Sequence, residues 1–480
     1  MTKTIRKTSI VLALLMAILM VFTLLPLNVK AQESIEITQA DLDAVGPDKE
    51  SHVDLEKGIE YFPSGFFQLY KSAEYVLAGD IELKDQTLDI SSENGPSVLN
   101  LNGHSISAEG CVTETSGDSS ITYGAVTCTR DSLTIKGNGT ITADSDAQYA
   151  LNALKGITIE GGTYNGDIAI GLTPLNTIKG GTFNGELFIT ADTYINGGTF
   201  NDAVSSWNGS TIIYDGEFQA AYLQGDSAIL MILGGSFYNT CIFEAGNGYI
   251  YGGNFEYKGD SQMIINLTGG ALEIWGGEFY NSEDSENAPA VDIIYSSPEN
   301  NKNASLIVNG GYFGIAEKYS IFAWGLDYLS VSGGEFVSKG YALGIVDDGN
   351  IKVEISGGNF TSLGNWSLSY APSAAIVSAF QNTEYKDNIF ESYLLDGYEY
   401  VPKVETNKAT GDAGELAAYT QKEISVLPAE ATASDDEVVP SNTPSTGDSG
   451  YGGWICLGLL AAGALVITPL VIKKKGVLDE

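Results

Sequence analysis

Positive charge is the scarcest property of this chain. Its 480 residues include 24 Lys and Arg and two His against 61 Asp and Glu, a formal charge of −37. Residues 1–31 hold four basic residues (Lys3, Arg6, Lys7, Lys30) and no acid. The remainder therefore carries 24 − 4 = 20 basic residues against 61 acids, or −41, with Arg130 its one arginine. A surface of that sign repels phosphates, which excludes nucleic acid and anionic membrane surfaces as partners. Histidine is confined to His52 and His104, and the four cysteines (Cys111, Cys128, Cys241, Cys456) are dispersed, so no His/Cys set has metal-ligand spacing. A Walker loop and a Gly-x-Ser-x-Gly turn are also missing. The acidic clusters Asp144–Asp146 and Asp347–Asn350 lack the ligand spacing of a calcium loop, so no cofactor or metal is expected.

What the chain has is glycine, 57 residues of it, in a repeat. Gly-Gly-x-Phe or a close variant ends on Tyr164, Phe183, Phe200, Phe218, Phe237, Phe255, Phe279, Phe313, Phe336 and Phe360, at spacings of 19, 17, 18, 19, 18, 24, 34, 23 and 24 residues. Two positions before each glycine pair the residue is β-branched: Ile159, Ile178, Ile195, Ile213, Ile232, Ile250, Ile274, Val308, Val331 and Ile355. Two further back it is often apolar again. Alternation of this kind marks a strand with one buried face, and the glycines turn the corner to a second strand. Counting in twos from the β-branched residue would place the aromatic outside, so the corner must reset the parity. Such a unit buries its apolar side only by stacking on copies of itself. A propeller blade needs about 40–45 residues, and leucine-rich repeats need Leu and Asn/Cys offsets that are missing here. The fold class expected is all-β: a right-handed, single-stranded parallel β-helix over residues 75–369.

The flanks differ in character. The apolar run Ile10–Leu25 behind Lys3, Arg6 and Lys7, with small residues to Ala31, reads as a signal peptide over 1–31. Residues 32–74 are expected to cap the open first coil, and 370–402, rich in aromatics from Phe390 to Tyr400, the last. The polar, acidic stretch Asn281–Asn303 is expected as a loop projecting from one coil. Residues 403–447 gain Ala, Thr, Ser and acids and read as a linker. Trp454–Ile472 is apolar and long enough to span a bilayer, with Lys473–Lys475 and the rest of 473–480 in the cytoplasm. Cys111 and Cys128 flank a polar excursion, where an exported chain permits a disulfide; Cys241 reads as a small core residue.

The segment Thr443, Pro444, Ser445, Thr446, Gly447, the apolar span and the basic tail together resemble a sortase cell-wall sorting signal of Gram-positive bacteria, with Thr443 where the usual motif has Leu. The resemblance implies sortase and peptidoglycan as partners, cleavage between Thr446 and Gly447, and a body on the extracellular face, held by the wall or by the membrane. The coils from Tyr75 to Ser362, about 60 % of the chain, resemble the pectate-lyase-like right-handed parallel β-helix superfamily. Leu101-Asn-Gly-His-Ser-Ile106 and Tyr393-Leu-Leu-Asp-Gly-Tyr398 resemble segments of repeat-bearing bacterial surface proteins. That superfamily hosts lyases, hydrolases, adhesins and inert stalks, so the fold alone implies no activity. Its lyases use an Arg or Lys base with calcium, and Arg130 lies beside the Cys128 excursion rather than in the repeats. Its polygalacturonase-like members carry Gly-His-Gly, and here His104 sits in Asn-Gly-His-Ser.

One column changes character along the stack. The residue just before each glycine pair should face solvent, and it runs Glu160, Lys179, Asn196, Tyr214, Leu233, Tyr251, Trp275, Asn309, Ser332, Ser356. Tyr214, Leu233, Tyr251 and Trp275 on successive rungs would form an apolar strip roughly 15 Å long, suited to sugar rings or to a partner protein's apolar patch. The function expected is that of a surface-anchored, non-catalytic, adhesin-like protein binding a polysaccharide or a host surface protein. A surface polysaccharide lyase or glycoside hydrolase, and a plain structural stalk, are the alternatives.

Overall fold

In a computed structural model, the described residues run from 33 to 428 apart from short internal stretches (among them 145–148, 259–261, 282–291, 297–302, 364–375 and 409–418). Four expected features lie outside them: the signal peptide over 1–31, the sorting motif of Thr443, Pro444, Thr446 and Gly447, the apolar span over 454–472 and the tail over 473–480.

The chain winds as a stack of parallel coils, a β-solenoid, and most coils contribute three strands rather than the two that the repeat suggested. The first ladder has fourteen strands in unbroken parallel register, from Ser34–Ile37 through Glu74–Leu77 to Lys352–Ile355. It pairs the β-branched column residue to residue, Ile159 with Ile178, Ile178 with Ile195, and so on to Val331 with Ile355. The second ladder pairs the aromatics in the same way, from Tyr164 with Phe183 to Phe336 with Phe360. A third ladder runs on from Phe66–Leu69 and Thr87–Ile90 through Asp167–Ile170, Leu187–Ile189, Cys241–Phe243 and Tyr341–Asp347 to Ile376–Phe380.

Both columns point inward. All ten aromatics are buried and form one continuous pile, with neighbouring ring centroids 4.5–5.1 Å apart and planes within 13°. Rings that repeat at the ladder spacing must lie parallel, and each pair contributes about 0.5–1.5 kcal/mol beyond its burial. One residue beyond the first three aromatics, an asparagine row repeats the device in polar form: Asn184 donates to Asn165 and Asn201 to Asn184, each at 2.7 Å.

The two glycines of a pair do different jobs. The second takes the left-handed conformation, φ +94° at Gly162 and +110° at Gly277, and this resets the parity between the Ile and Phe columns. The first needs no such φ. It lies against the carbonyl oxygen of the rung below, where a Cβ would stand only 2.5 Å from Tyr214 O at Gly234, 2.7 Å from Tyr251 O at Gly276 and 2.2 Å from Ser332 O at Gly357. In the earlier coils the approach is looser, 3.4 Å at Gly161 and 3.2 Å at Gly197. The next repeat tolerates Asp215 in that place.

Three regions depart from the sequence reading. Asn281–Asn303 is not one projecting loop: Asp292–Ser296 within it is the third strand of its coil, paired to Met263–Leu267 and Tyr319–Trp324. Polar flanks hide a strand that short. The stretch read as a linker from 403 begins instead in a hairpin, Tyr398–Lys408 against Tyr419–Pro428. Its second strand lies antiparallel on Asn359–Ser362, with Val426 buried in the core, and closes the edge of the second ladder. At the other end, the region read as a cap supplies the first rung itself. Strand Ser34–Ile37 heads the first ladder, and helix Gln39–Val45 buries Leu42 and Val45 beside it.

Gly276→Ala is expected to lower stability by about 1–3 kcal/mol, because the new methyl must push on a backbone carbonyl. Gly161→Ala, with room for the methyl, is expected to cost under about 1 kcal/mol. Urea unfolding followed by far-ultraviolet circular dichroism compares the two.

Candidate functional site: the aromatic face of the first ladder

Each residue of the variable column extends the first ladder by one hydrogen bond. The N–H groups of Tyr214, Leu233, Tyr251 and Trp275 donate to the carbonyls of Ile195, Ile213, Ile232 and Ile250 at 2.7–2.8 Å. The four side chains are therefore held in register on the outer face, with Leu233, Tyr251 and Trp275 exposed (37 %, 41 % and 42 %) and Tyr214 half-buried. The Tyr251 and Trp275 rings are 8° from parallel with centroids 6.4 Å apart. Above and below, the column turns polar: Glu160 and Lys179 form an ion pair at 2.9 Å, and Ser332 donates to Asn309 at 2.8 Å.

The sequence reading missed a second column. Residues two positions earlier on the same strands also face outward: Tyr194 on the Asn196 rung, then Ile212, Met231 and Tyr249 on those of Tyr214, Leu233 and Tyr251, paired in direct register, with Glu273 in that place on the Trp275 rung. Ile212 is buried by its neighbours and the other three are half-buried. The strip is thus a two-column patch of eight side chains. Alternation alone could have found the second column, but apolar residues inside a strand read as part of the strand pattern.

Polar groups sit at one end of the patch. The Glu273 carboxylate accepts from Asn309 Nδ2 at 3.1 Å and lies beside the Trp275 side chain. Burial pushes the Glu273 carboxyl above its ordinary value, and Asn309 and Trp275 oppose that rise. Burial likewise raises the phenols of Tyr214, Tyr249 and Tyr251, with Glu273 adding to the last two.

The other sequence candidates are not brought to this face. Arg130 pairs with Glu93 at the surface of an early coil. His104 lies 3.5 Å from Asp80, and His52 contacts the Val45 carbonyl at 3.2 Å. Cys128 is a buried free thiol donating to Asp131 O at 2.7 Å, and burial pushes it up to about 12; Cys111 lies outside the described residues. Cys241 is buried in the third ladder. Among the described residues no group of three or more His, Cys, Asp or Glu is placed to hold a metal ion. A shallow furrow of about 610 Å³ follows the glycine corner, lined by backbone and by Thr140, Thr163, Thr182 and Thr199.

The most perturbed carboxyl is Asp292, in the third ladder. It is 6 % exposed, accepts the Tyr319 N–H and leaves Oδ1 buried without a hydrogen bond. Burial drives it up to about 7, against the pull of Lys318. Among the described residues no second carboxylate is among the groups acting on Asp292. No protein-family model, curated protein or solved structure matches this chain.

The Asp292 shift fixes a pH dependence. Between the ordinary value of 3.8 and about 7 the unfolded chain releases this proton while the folded chain keeps it, so stability falls as pH rises through that window. Asp292→Asn is expected to remove that fall, and relative to wild type to gain on the order of 2–4 kcal/mol between pH 4 and pH 8. Urea midpoints across that range measure it.

Proposed function

We propose that this chain is a cell-surface, non-catalytic β-helix of the right-handed, single-stranded kind, whose first-ladder aromatic face binds a glycan in the manner of an adhesin. The observation that carries the reading is the near-parallel pair Tyr251 and Trp275. Both are exposed, set on successive rungs of a rigid ladder, and flanked by Glu273 and Asn309. A flat aromatic pair offers its faces to the C–H side of sugar rings, and the adjoining carboxylate and amide offer hydrogen bonds to hydroxyls. A ladder that repeats every 4.8 Å or so presents these groups as a line, which suits a linear chain lying along the solenoid axis. The rungs on either side carry Asn196 and Asn309, so the apolar part ends where the polar rungs begin.

The ends of the chain support a place outside the cell. The apolar N-terminal run, the motif of Thr443, Pro444, Thr446 and Gly447, the apolar span and the lysine tail form an ordered set in which the solenoid faces outward, joined to the wall at Thr446 or held by the span. A net charge of −41 on the exported part, from 20 basic and 61 acidic residues, keeps such a body soluble and away from anionic surfaces.

Tyr251→Ala with Trp275→Ala is expected to abolish glycan-array and host-cell binding shown by the wild type, at least about tenfold in apparent affinity, with an unchanged unfolding midpoint. Retention of every wild-type ligand would defeat the reading. For the anchor, Thr446→Ala is expected to move the protein from the wall fraction, released by muramidase, to the detergent-soluble membrane fraction.

A further inference from the structure

The third face of the solenoid carries a cleft of about 330 Å³ that shares no residue with the aromatic patch; its walls include Tyr149, Asn152, Ala169, Phe188, Thr190 and Trp207. Four rungs build it, with Tyr149 and Asn152 on the first. Along each strand alternate residues face outward, so Asp167 and Ala169 lie on one rung and Glu186, Phe188 and Thr190 on the next. Ser205 and Trp207 follow, with Ala169, Phe188 and Ser205 in direct register. Phe188 meets Tyr149 edge to face, with centroids 6.5 Å apart and planes at 89°, and Trp207 stands 47 % exposed at the mouth. The Thr190 hydroxyl donates to Ile170 O at 3.1 Å, which leaves its lone pairs free to accept.

Beside this apolar wall stands a row of acids. Asp167 and Glu186 are two residues from Ala169 and Phe188 along their strands, about 7 Å by strand rise. Asp202 lies in the bulge of the following rung. Asp167 Oδ1 accepts the Glu186 N–H at 3.0 Å and Glu186 accepts the Ser205 hydroxyl, so both carboxylates are held in place. Burial raises both carboxyls, and Asp202 raises them further. No Lys or Arg is among the groups acting on either. A positively charged ligand group would relieve that repulsion, and a lone ammonium would not fill the cleft.

We propose that this cleft binds a glycan bearing free amino groups, its ring faces against Phe188 and Trp207 and its ammonium groups against Asp167, Glu186 and Asp202. Aromatic planes alone would accept a neutral sugar, and carboxylates alone would accept any cation. The two side by side, with a hydroxyl acceptor at Thr190, select a ring that carries its own positive charge.

Titration calorimetry of the full chain with a glucosamine hexamer, an N-acetylglucosamine hexamer and hexalysine tests this. The glucosamine hexamer is expected to bind about tenfold or more tightly than either of the others. Trp207→Ala, an exposed position, and Glu186→Gln are each expected to weaken it at least about fivefold. Tyr251→Ala with Trp275→Ala should leave it unchanged, which separates this site from the face proposed above. Equal or tighter binding of hexalysine would reduce the effect to bulk negative charge and overturn the proposal. So would equal binding of the acetylated hexamer, or affinity unaffected by Trp207→Ala.

Discussion

The structure depends on how closely one coil's backbone can approach the next at the glycine corner. From Gly234 onward the first glycine of each pair lies so near the carbonyl of the rung below that a methyl would stand within 2.2–2.7 Å of it. Over those coils that contact fixes how far the first and second ladders can shift against each other. If the corners were lifted apart, the Ile column and the aromatic pile could not both hold the spacing of a parallel ladder. The second glycine supplies the left-handed turn that brings the Phe side chains inside. The same corner therefore accounts for ring stacking, column pairing and the parity change.

The inward columns have little freedom as a result, and the outward ones have a great deal. From Ile159 and Tyr164 onward an inward position must fill the same space on each rung, so it stays Ile or Val in one ladder and aromatic in the next, whereas the coils before them carry Leu99 and Ile135 in the first ladder and Ile106 and Ile141 in the second. An outward position meets solvent, and its neighbours above and below are set by the ladder whatever its own identity. Variation collects there: charged and amide residues at both ends, and Tyr214, Leu233, Tyr251 and Trp275 between. The third ladder follows the same logic with Asp167 and Glu186 beside Phe188. Rigid spacing turns single outward residues into rows, and a row on a stiff scaffold is already arranged for a linear ligand.

Much of this was legible in the sequence. Gly-Gly-x-Phe, with a β-branched residue two places before it, is enough to name a stacked parallel architecture, to place both columns inside and to single out the residue before the glycines. The third strand of each coil was not legible. It has no glycine signal, its distance from the corner varies, and Asp292–Ser296 is flanked by polar residues that read as loop. The hairpin of Tyr398–Lys408 and Tyr419–Pro428 was missed for a related reason. A strand that closes an edge gains its stability from backbone pairing, which leaves little trace in composition.

The sequence by itself determined the period, the two inward columns and the sign of the charge, because each is a property of residues close together along the chain. Tertiary structure decided which outward residues become neighbours. Tyr251 and Trp275 are 24 positions apart, and Asp167 and Glu186 are 19. Only the register of the ladders, set by coil length and by backbone contact across the glycine corner, places each pair on successive rungs.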